Sequence, residues 1–480
     1  MTDDRRRGQA MRRALPILAA LLTGLVTYGA ADVVDVAPGV LTYDRPGDVA
    51  QITSEAQVGA PPTVLPAAGE QAPRPTDDSL ARQLDPQVRD AWLGPSVGMV
   101  VRDALTGDVL YDHRGDRPMT PASTQKILSA AAVARTLDPA TRMQTQVVEG
   151  AKGELVLVAS GDTLLASGAG DPGATEGHAG LRDLARAVAE SLGPQAKGEK
   201  LPLRLDGTYA AGPRVPSTWD PADLAAGYTQ RVTMIGLADE RPQVFEPSPR
   251  YPERSVLKAL AAELKKEGVA TTPELDPDSW SEPAPDGAEV LGQVESAPVS
   301  EVLAEALRSS DNALTENLAR QAAQADGAEA STARDVADWV RATLDEAGVD
   351  MSGVTMVDAS GLSSGQKIPA SVISDTMQLG ITGSARSLRT VLLELPVAGV
   401  SGTLHDRFVA EDSRPAAGIA RAKTGTLTGI SSLAGTTVTS DGRVLTYTIL
   451  ADKVPDTTGT LGARAVLDRM VGILTSCGCR

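Results

Sequence analysis

Ser123 and Lys126, in Pro121-Ala-Ser-Thr-Gln-Lys-Ile-Leu-Ser-Ala-Ala-Ala132, are the first side chains in this sequence whose types and spacing suit covalent chemistry. A serine hydroxyl is a weak nucleophile at neutral pH because almost none of it is ionised, and a neutral amine beside it can take its proton. Burial, a neighbouring cation or the positive end of a helix would each push a lysine toward that neutral state. If the alanine-rich run is helical, hydroxyl and amine share one face about one turn apart. Ser-x-x-Lys also occurs by chance, where it marks only a helix start with a surface lysine. Its weight here comes from two further clusters that follow in order, Ser310-Asp-Asn312 and Lys423-Thr-Gly425.

These residues need a frame, and the patterning supplies one. Two alternating apolar segments between Val97 and Tyr111, around a turn at Thr106-Gly-Asp108, predict a hairpin. Pro118, Pro121 and Ser123 are start signals for the helix that follows, and Asp138-Pro139 is its stop. Residues 142–149 and 155–159 read as a second pair of strands, and 201–206 as another strand. Helical spacing recurs over 181–192, 251–266, 299–308, 313–323, 333–347, 369–379 and 384–395. A strand at 354–358 is predicted to feed Ala359-Ser-Gly-Leu-Ser363, and Ala422 to Thr426 to pair with Ile430 to Val438, followed by a strand at 444–450 and an amphipathic helix at 462–474. Strands at both ends of the body with helices between them imply one antiparallel sheet built from both halves of the chain, and a central insertion.

The 480 residues, 42% of them apolar, suffice for two or three domains. A net charge of -17 argues against nucleic acid as a partner, because such binding needs a concentrated basic footprint. His113, His178 and His405 are scattered with no His-x-x-x-His pair, so neither a metal site nor a cofactor is expected. Cys477 and Cys479 have one glycine between them, which makes a strained ring if they pair, and residues 476–480 read as a mobile tail. Arg5, Arg6, Arg7, Arg12 and Arg13 precede an uncharged run from Ala14 to Ala31, the pattern of an export signal. The run is also near the minimum for a membrane span, so residues 1–37 are expected to be a cleaved signal or a transmembrane anchor. Residues 38–90, rich in Pro, Ala, Gly and Asp, read as a disordered stalk.

Taken together, the three clusters resemble the signature shared by penicillin-binding proteins and class A β-lactamases. From about Leu93 to Leu474 the chain resembles the D-alanyl-D-alanine carboxypeptidase/endopeptidase family of low-molecular-mass penicillin-binding proteins, S13, in which an insertion splits the catalytic domain. Ser160-Gly-Asp-Thr-Leu164, Asp358-Ala-Ser-Gly-Leu-Ser363 and the residues after Lys423 resemble family stretches too. The resemblance implies an α+β fold of the penicillin-binding-protein and serine β-lactamase type, an antiparallel sheet with flanking helices interrupted by an inserted domain. Residues 91–165 and 290–475 would form the peptidase domain, and 166–289 the insertion.

It also implies roles. Ser123 would be the acylated nucleophile, Lys126 its general base, and Ser310 a proton relay to the leaving amine. Asn312 would hold the substrate amide and Lys126; Lys423, Thr424 and Thr426 would bind the substrate's terminal carboxylate. The backbone N–H groups of Ser123 and Thr426 would form the oxyanion hole, with Gly425 letting the edge strand approach the peptide. Peptidoglycan D-Ala-D-Ala stem peptides would be the substrates, β-lactams the covalent inhibitors, and the location extracytoplasmic. Carboxypeptidase and endopeptidase cleavage both remain open. The alternatives are a serine β-lactamase, an esterase on the same scaffold, or a non-catalytic peptidoglycan-binding protein. No Glu-x-x-Leu-Asn stretch stands between Asn312 and Lys423, which weighs against the lactamase.

Around these lie weaker candidates. Asp311 is expected to cap the next helix through Asn312 or Ala313. Ser360 and Ser363 are expected at the rim of the site. Trp219, Asp220 and Tyr228 resemble a family segment near that rim, with loop packing as the other reading. His405 is not expected to be catalytic, since a lysine already fills the role of base.

Overall fold

The computed structural model describes residues 71–478, apart from 194–199 and 383–384. The expected export signal therefore lies outside the described residues, as does most of the expected stalk. In chain order the elements begin with α1 (Asp77–Val88), β1 (Val97–Asp103), β2 (Val109–His113) and α2 (Lys126–Thr136). Next come β3 (Gln144–Glu149), β4 (Leu155–Val158), α3 (Leu181–Leu192), β5 (Lys200–Asp206), α4 (Pro252–Lys266), β6 (Ala270–Pro273) and β7 (Val290–Glu295). The chain continues through α5 (Val299–Arg308), α6 (Asn312–Ala325), α7 (Ala333–Glu346), α8 (Ala370–Ile381) and α9 (Arg386–Leu393). It ends with β8 (Arg421–Leu427), β9 (Ile430–Val438), β10 (Val444–Ala451) and α10 (Gly459–Ser476).

The expected sheet forms from both ends of the body, in the order β2-β1-β10-β9-β8, antiparallel throughout. Met99 pairs with Ile449, and Lys423 with Ala434. Alternation sends successive side chains to opposite faces, and here both faces are covered. Met99, Val101, Leu445, Tyr447 and Ile449 pack with α1 and α10, while Val100, Leu450 and Ala434 face α2 and the helices around it. That second layer buries α2 on every side from Lys126 to Val133. A helix apolar all round belongs in the middle of a domain, and this one carries the Ser-Lys pair.

A second sheet runs β6-β5-β4-β3-β7, with β3 antiparallel to both of its neighbours and β4-β5-β6 parallel. One face packs on α3 and α4 through Leu157, Leu203, Leu205, Val188, Val256 and Leu260. The other is wet: Gln146 and Gln293, opposite each other on β3 and β7, are hydrogen-bonded at 2.7 Å on an exposed surface.

Several expectations need correction. The transmembrane expectation is one: no helix among the described residues is long and apolar enough to cross a membrane. Even α10, the longest, carries Arg464, Asp468 and Arg469 along its length. Residues 77–88, expected to be disordered stalk, form α1, whose Leu80, Leu84 and Val88 are buried. Residues 354–358 make no strand beyond a single bridge between Thr355 and Lys367, because Asp358 bends the chain onto its own side chain. Cys477 is no mobile tail: it is buried in the core beside α10 and disulfide-bonded.

Candidate active site

The site starts from a strained turn. Ala122 is left-handed at φ 50°, and a 3-10 turn over Ala122–Gln125 then leads into α2. Thr124 Oγ1 and Ser432 Oγ both donate to the Pro121 carbonyl, at 2.7 and 2.6 Å, tying the turn to β9. Ser123 is thereby held ahead of the positive end of α2, with Lys126 as the helix's first residue.

Lys126 Nζ lies 2.9 Å from Ser123 Oγ, 2.6 Å from Asn312 Oδ1 and 2.8 Å from the Ser360 carbonyl. The last two groups can only accept, so a neutral amine gives them its two hydrogens and keeps its lone pair for the Ser123 hydroxyl. The orientation of the Asn312 amide is set from its other end, since its Nδ2 donates to the Tyr228 carbonyl at 3.1 Å. Burial pushes the Lys126 amine down to about 7, while the Asp358 and Glu316 carboxylates pull it the other way.

Ser310 sits in a second left-handed turn, φ 60°, between α5 and α6. Asp311 caps α6 by accepting from Leu314 N at 2.7 Å, one residue beyond the expected donors, and pairs with Arg241. This turn aims Ser310 at Lys423 and Asn312 at Lys126. Lys423 Nζ is 2.7 Å from Ser310 Oγ and 2.7 Å from the Thr424 carbonyl. Burial first and the Lys126 charge second hold Lys423 well below the ordinary lysine range.

β8 closes the site as an edge strand. Ala422 N donates away from β9, to the Pro396 carbonyl. Backbone groups alternate along a strand, so the N–H groups of Thr424 and Thr426 also point off the edge, the orientation an oxyanion donor needs. Gly425 has a different explanation from the expected one. A Cβ there would overlap Ser432 Oγ and come within 2.7 Å of the Pro121 carbonyl and 3.0 Å of Ser123 N. Its missing side chain makes room for the Ser123 turn, not for the peptide.

The Asp358 loop was legible only as a stretch, and its chemistry was missed. Asp358 accepts from Trp219 Nε1 (2.9 Å), Ser360 N (3.1 Å), Gly361 N (2.7 Å), Ser363 N (2.8 Å) and Gln366 Nε2 (2.6 Å). Glu316 on α6 accepts from Ala359 N and Ser360 N, both at 2.8 Å. Burial and the neighbouring Asp358 raise the Glu316 carboxyl to about 8. Between them these carboxyl groups fix the Ser360 carbonyl on Lys126. Glu316 stands four residues after Asn312, a spacing that could have signalled a shared helix face. Ser360 and Ser363 are buried beneath the site, not on its rim, and Trp219 is a packing residue. Asp220 caps a short helical turn, while Tyr228 lines the cleft. His405 is exposed, its Nδ1 3.0 Å from the Gly402 carbonyl of its own loop.

Above Ser123 opens a cleft of about 1050 Å³, reaching from Ser310 and Asn312 to Tyr228, Arg241 and Arg464. A smaller recess of about 180 Å³ continues it beside Thr403, Thr424 and Thr426. A primed hydroxyl, a buried amine, a second Ser-Lys pair and outward-facing amides around one cleft are suited to acyl transfer.

Comparison with known proteins points the same way. The family described as D-Ala-D-Ala carboxypeptidase 3 (S13) matches residues 80–246 and 238–477. Carboxypeptidase DacB of Mycolicibacterium smegmatis is 34% identical over 442 residues, 89% of this chain and 92% of the relative. A Mycobacterium tuberculosis carboxypeptidase is 35% identical over 445 residues, covering 90% of this chain and 92% of its own length. Among solved structures, penicillin binding protein 4 of Haemophilus influenzae shares the fold at a TM-score of 0.65 and 16% identity, covering 82% of this chain and 98% of that one.

Proposed function

The chain belongs to the D-Ala-D-Ala carboxypeptidase 3 (S13) family, and from that membership we infer a serine-type D-Ala-D-Ala carboxypeptidase that trims peptidoglycan stem peptides outside the cytoplasmic membrane and is acylated by β-lactams. We propose Ser123 as the nucleophile. Its hydroxyl proton passes to Lys126 as Oγ attacks the penultimate D-alanine carbonyl, whose oxygen is held by the N–H groups of Ser123 and Thr426. Ser310, backed by Lys423, delivers a proton to the leaving nitrogen as the C–N bond breaks and D-alanine departs. The proton that Lys126 took from Ser123 replaces the one Ser310 gave, which leaves Lys126 neutral. Water then attacks the Ser123 ester as Lys126 takes its proton, and that proton passes to the departing Ser123 Oγ as the shortened peptide is released. Asn312 positions Lys126 and the substrate amide, Thr424 and Thr426 offer hydroxyls to the terminal carboxylate, and Gly425 allows the close fit of β8 against the Ser123 turn. We propose that the peptidase domain takes α1 with residues 91–143 and 296–475, and that the insertion takes 144–295 instead of 166–289, because β3, β4 and β7 share one sheet with β5 and β6. The insertion walls one side of the cleft through Tyr228 and Arg241.

One observation carries this reading: Lys126 Nζ is 2.9 Å from Ser123 Oγ with its other two contacts both to acceptors. Glu316, the buried acid of α6, is turned toward the Asp358 loop and not toward Ser123. The test is labelling with a fluorescent penicillin alongside D-alanine release from a stem pentapeptide. Wild-type protein should label stably and release D-alanine, and Ser123→Ala should do neither. Stable labelling that survives in Ser123→Ala would remove Ser123 from the role, and rapid penicillin hydrolysis would mark a lactamase instead. Product analysis on a cross-linked dimer separates carboxypeptidase from endopeptidase cleavage: D-alanine release from the pentapeptide with no cut in the dimer would rule out the second.

A further inference from the structure

The recess beside Ser123 is lined by Ser310, Thr403, Thr424, Thr426, Arg407 and Arg464. The cations in and beneath it are not equivalent. Arg407 is spent, with Nε and Nη2 donating to the buried Asp468 at 3.1 and 2.5 Å. Lys423 is wholly buried, and its Nζ is engaged by Ser310 Oγ and the Thr424 carbonyl. A lysine so desolvated is a poor source of charge for a ligand outside it.

Arg464, on α10, differs from both. Its Nη2 donates to Thr426 Oγ1 at 3.2 Å, and its Nε is buried with no hydrogen-bond partner. Partial burial and the neighbouring Arg407 act against its charge while Asp406 and Asp468 favour it, and among the described residues it forms no ion pair with a carboxylate. The guanidinium lines the recess and the larger cleft alike. Beside it, Thr424 Oγ1 is 2.9 Å from Thr403 Oγ1, so three threonine hydroxyls and one uncommitted guanidinium converge next to the nucleophile. Hydroxyls accept a carboxylate and a carboxamide with similar ease, whereas a planar guanidinium favours the charged, two-oxygen group.

We propose that Arg464 is the specificity-determining residue for the free C-terminal carboxylate of the substrate, with the hydroxyls of Thr403, Thr424 and Thr426 as its neutral partners. The inference rests on the carboxypeptidase reading and assigns what that reading leaves open: why the enzyme selects a chain end. Lys423 then serves Ser310 and proton transfer, while the charge that selects the terminus comes from a helix remote in sequence.

The test compares kcat/KM for an N-acyl-D-Ala-D-Ala peptide and for its C-terminal amide, in wild type, Arg464→Gln and Arg464→Lys. Wild type should prefer the acid. Arg464→Gln should lower turnover of the acid by on the order of 10- to 100-fold, the worth of a charged hydrogen bond, and leave the amide within about twofold. Arg464→Lys should fall between. Because acid and amide are measured on one preparation, any unfolded fraction cancels from their ratio. An unchanged acid-to-amide ratio in Arg464→Gln, or a wild type indifferent to the terminal charge, would overturn the assignment while leaving the carboxypeptidase reading intact. A wild type that cleaves neither peptide would overturn both.

Discussion

At the scale of single residues, the question is what keeps Lys126 unprotonated in a cavity that also holds carboxylates. Burial dominates, bringing the amine down to about 7 against the pull of Asp358 and Glu316. The sign for catalysis follows directly. With the neutral amine as the proposed base, acylation of Ser123 should be fastest above about pH 7 and fall about tenfold per unit below it. Second-order rate constants for penicillin acylation from about pH 5 to about pH 9 would check this, and a flat profile would remove Lys126 from the role. That Ser123, Lys126, Ser310, Asn312 and Lys423 belong together was legible, because the chemistry proposed for them needs fixed residue types at short spacing, and the structure brings them into contact. Glu316, Thr403 and Arg464 were not. A glutamate inside a helix, a threonine in a loop and an arginine on a distant helix look like ordinary surface residues until the fold turns them inward.

At the scale of elements, the Asp358 loop is what joins α2 to α6. Gln125 Nε2 donates to the Asp358 carbonyl at 2.5 Å and Ser129 Oγ to the Ala359 carbonyl at 2.5 Å, so α2 is bound to one side of the loop. Glu316 binds the other side. Replacing Asp358 with Ala would strand buried donors that have no water to turn to, at a cost on the order of 4 kcal/mol. The expected readout is a lower thermal midpoint together with loss of penicillin labelling; an unchanged midpoint would show that the loop holds without it. Most helices were legible from their spacing, and the hairpins at either end of the body from alternation. Two strands escaped for physical reasons. β6, Ala-Thr-Thr-Pro, is a short edge strand with no buried residue, and β7 is half wet with Gly292 in its middle. α1 escaped because Asp77, Asp78 and Pro86 give it the composition of a linker.

At the scale of the whole molecule, the peptidase sheet depends on segments from both ends of the described chain. α1 packs Leu80, Leu84 and Val88 into the core that also holds Val466, Met470 and Leu474 of α10, and Arg469 joins Gln87 and Asp90 at 2.7 and 2.6 Å. A chain starting at residue 71, which keeps α1, is therefore the reference for thermal midpoint and penicillin labelling. One starting at residue 91 should lose several degrees of thermal midpoint, since each buried leucine removed leaves a cavity worth about 2–5 kcal/mol. Equal midpoints would show that α1 is an ornament. The order of strands has a further consequence, in time instead of space. β10 sits between β1 and β9, so the early hairpin keeps an open edge until almost the whole chain has been made. Pairings this remote in sequence form late, and open edges recruit wrong partners while they wait. The Ser123 turn is thus made long before β8, and the acylation site proposed above can assemble only once β8 to β10 have joined the sheet.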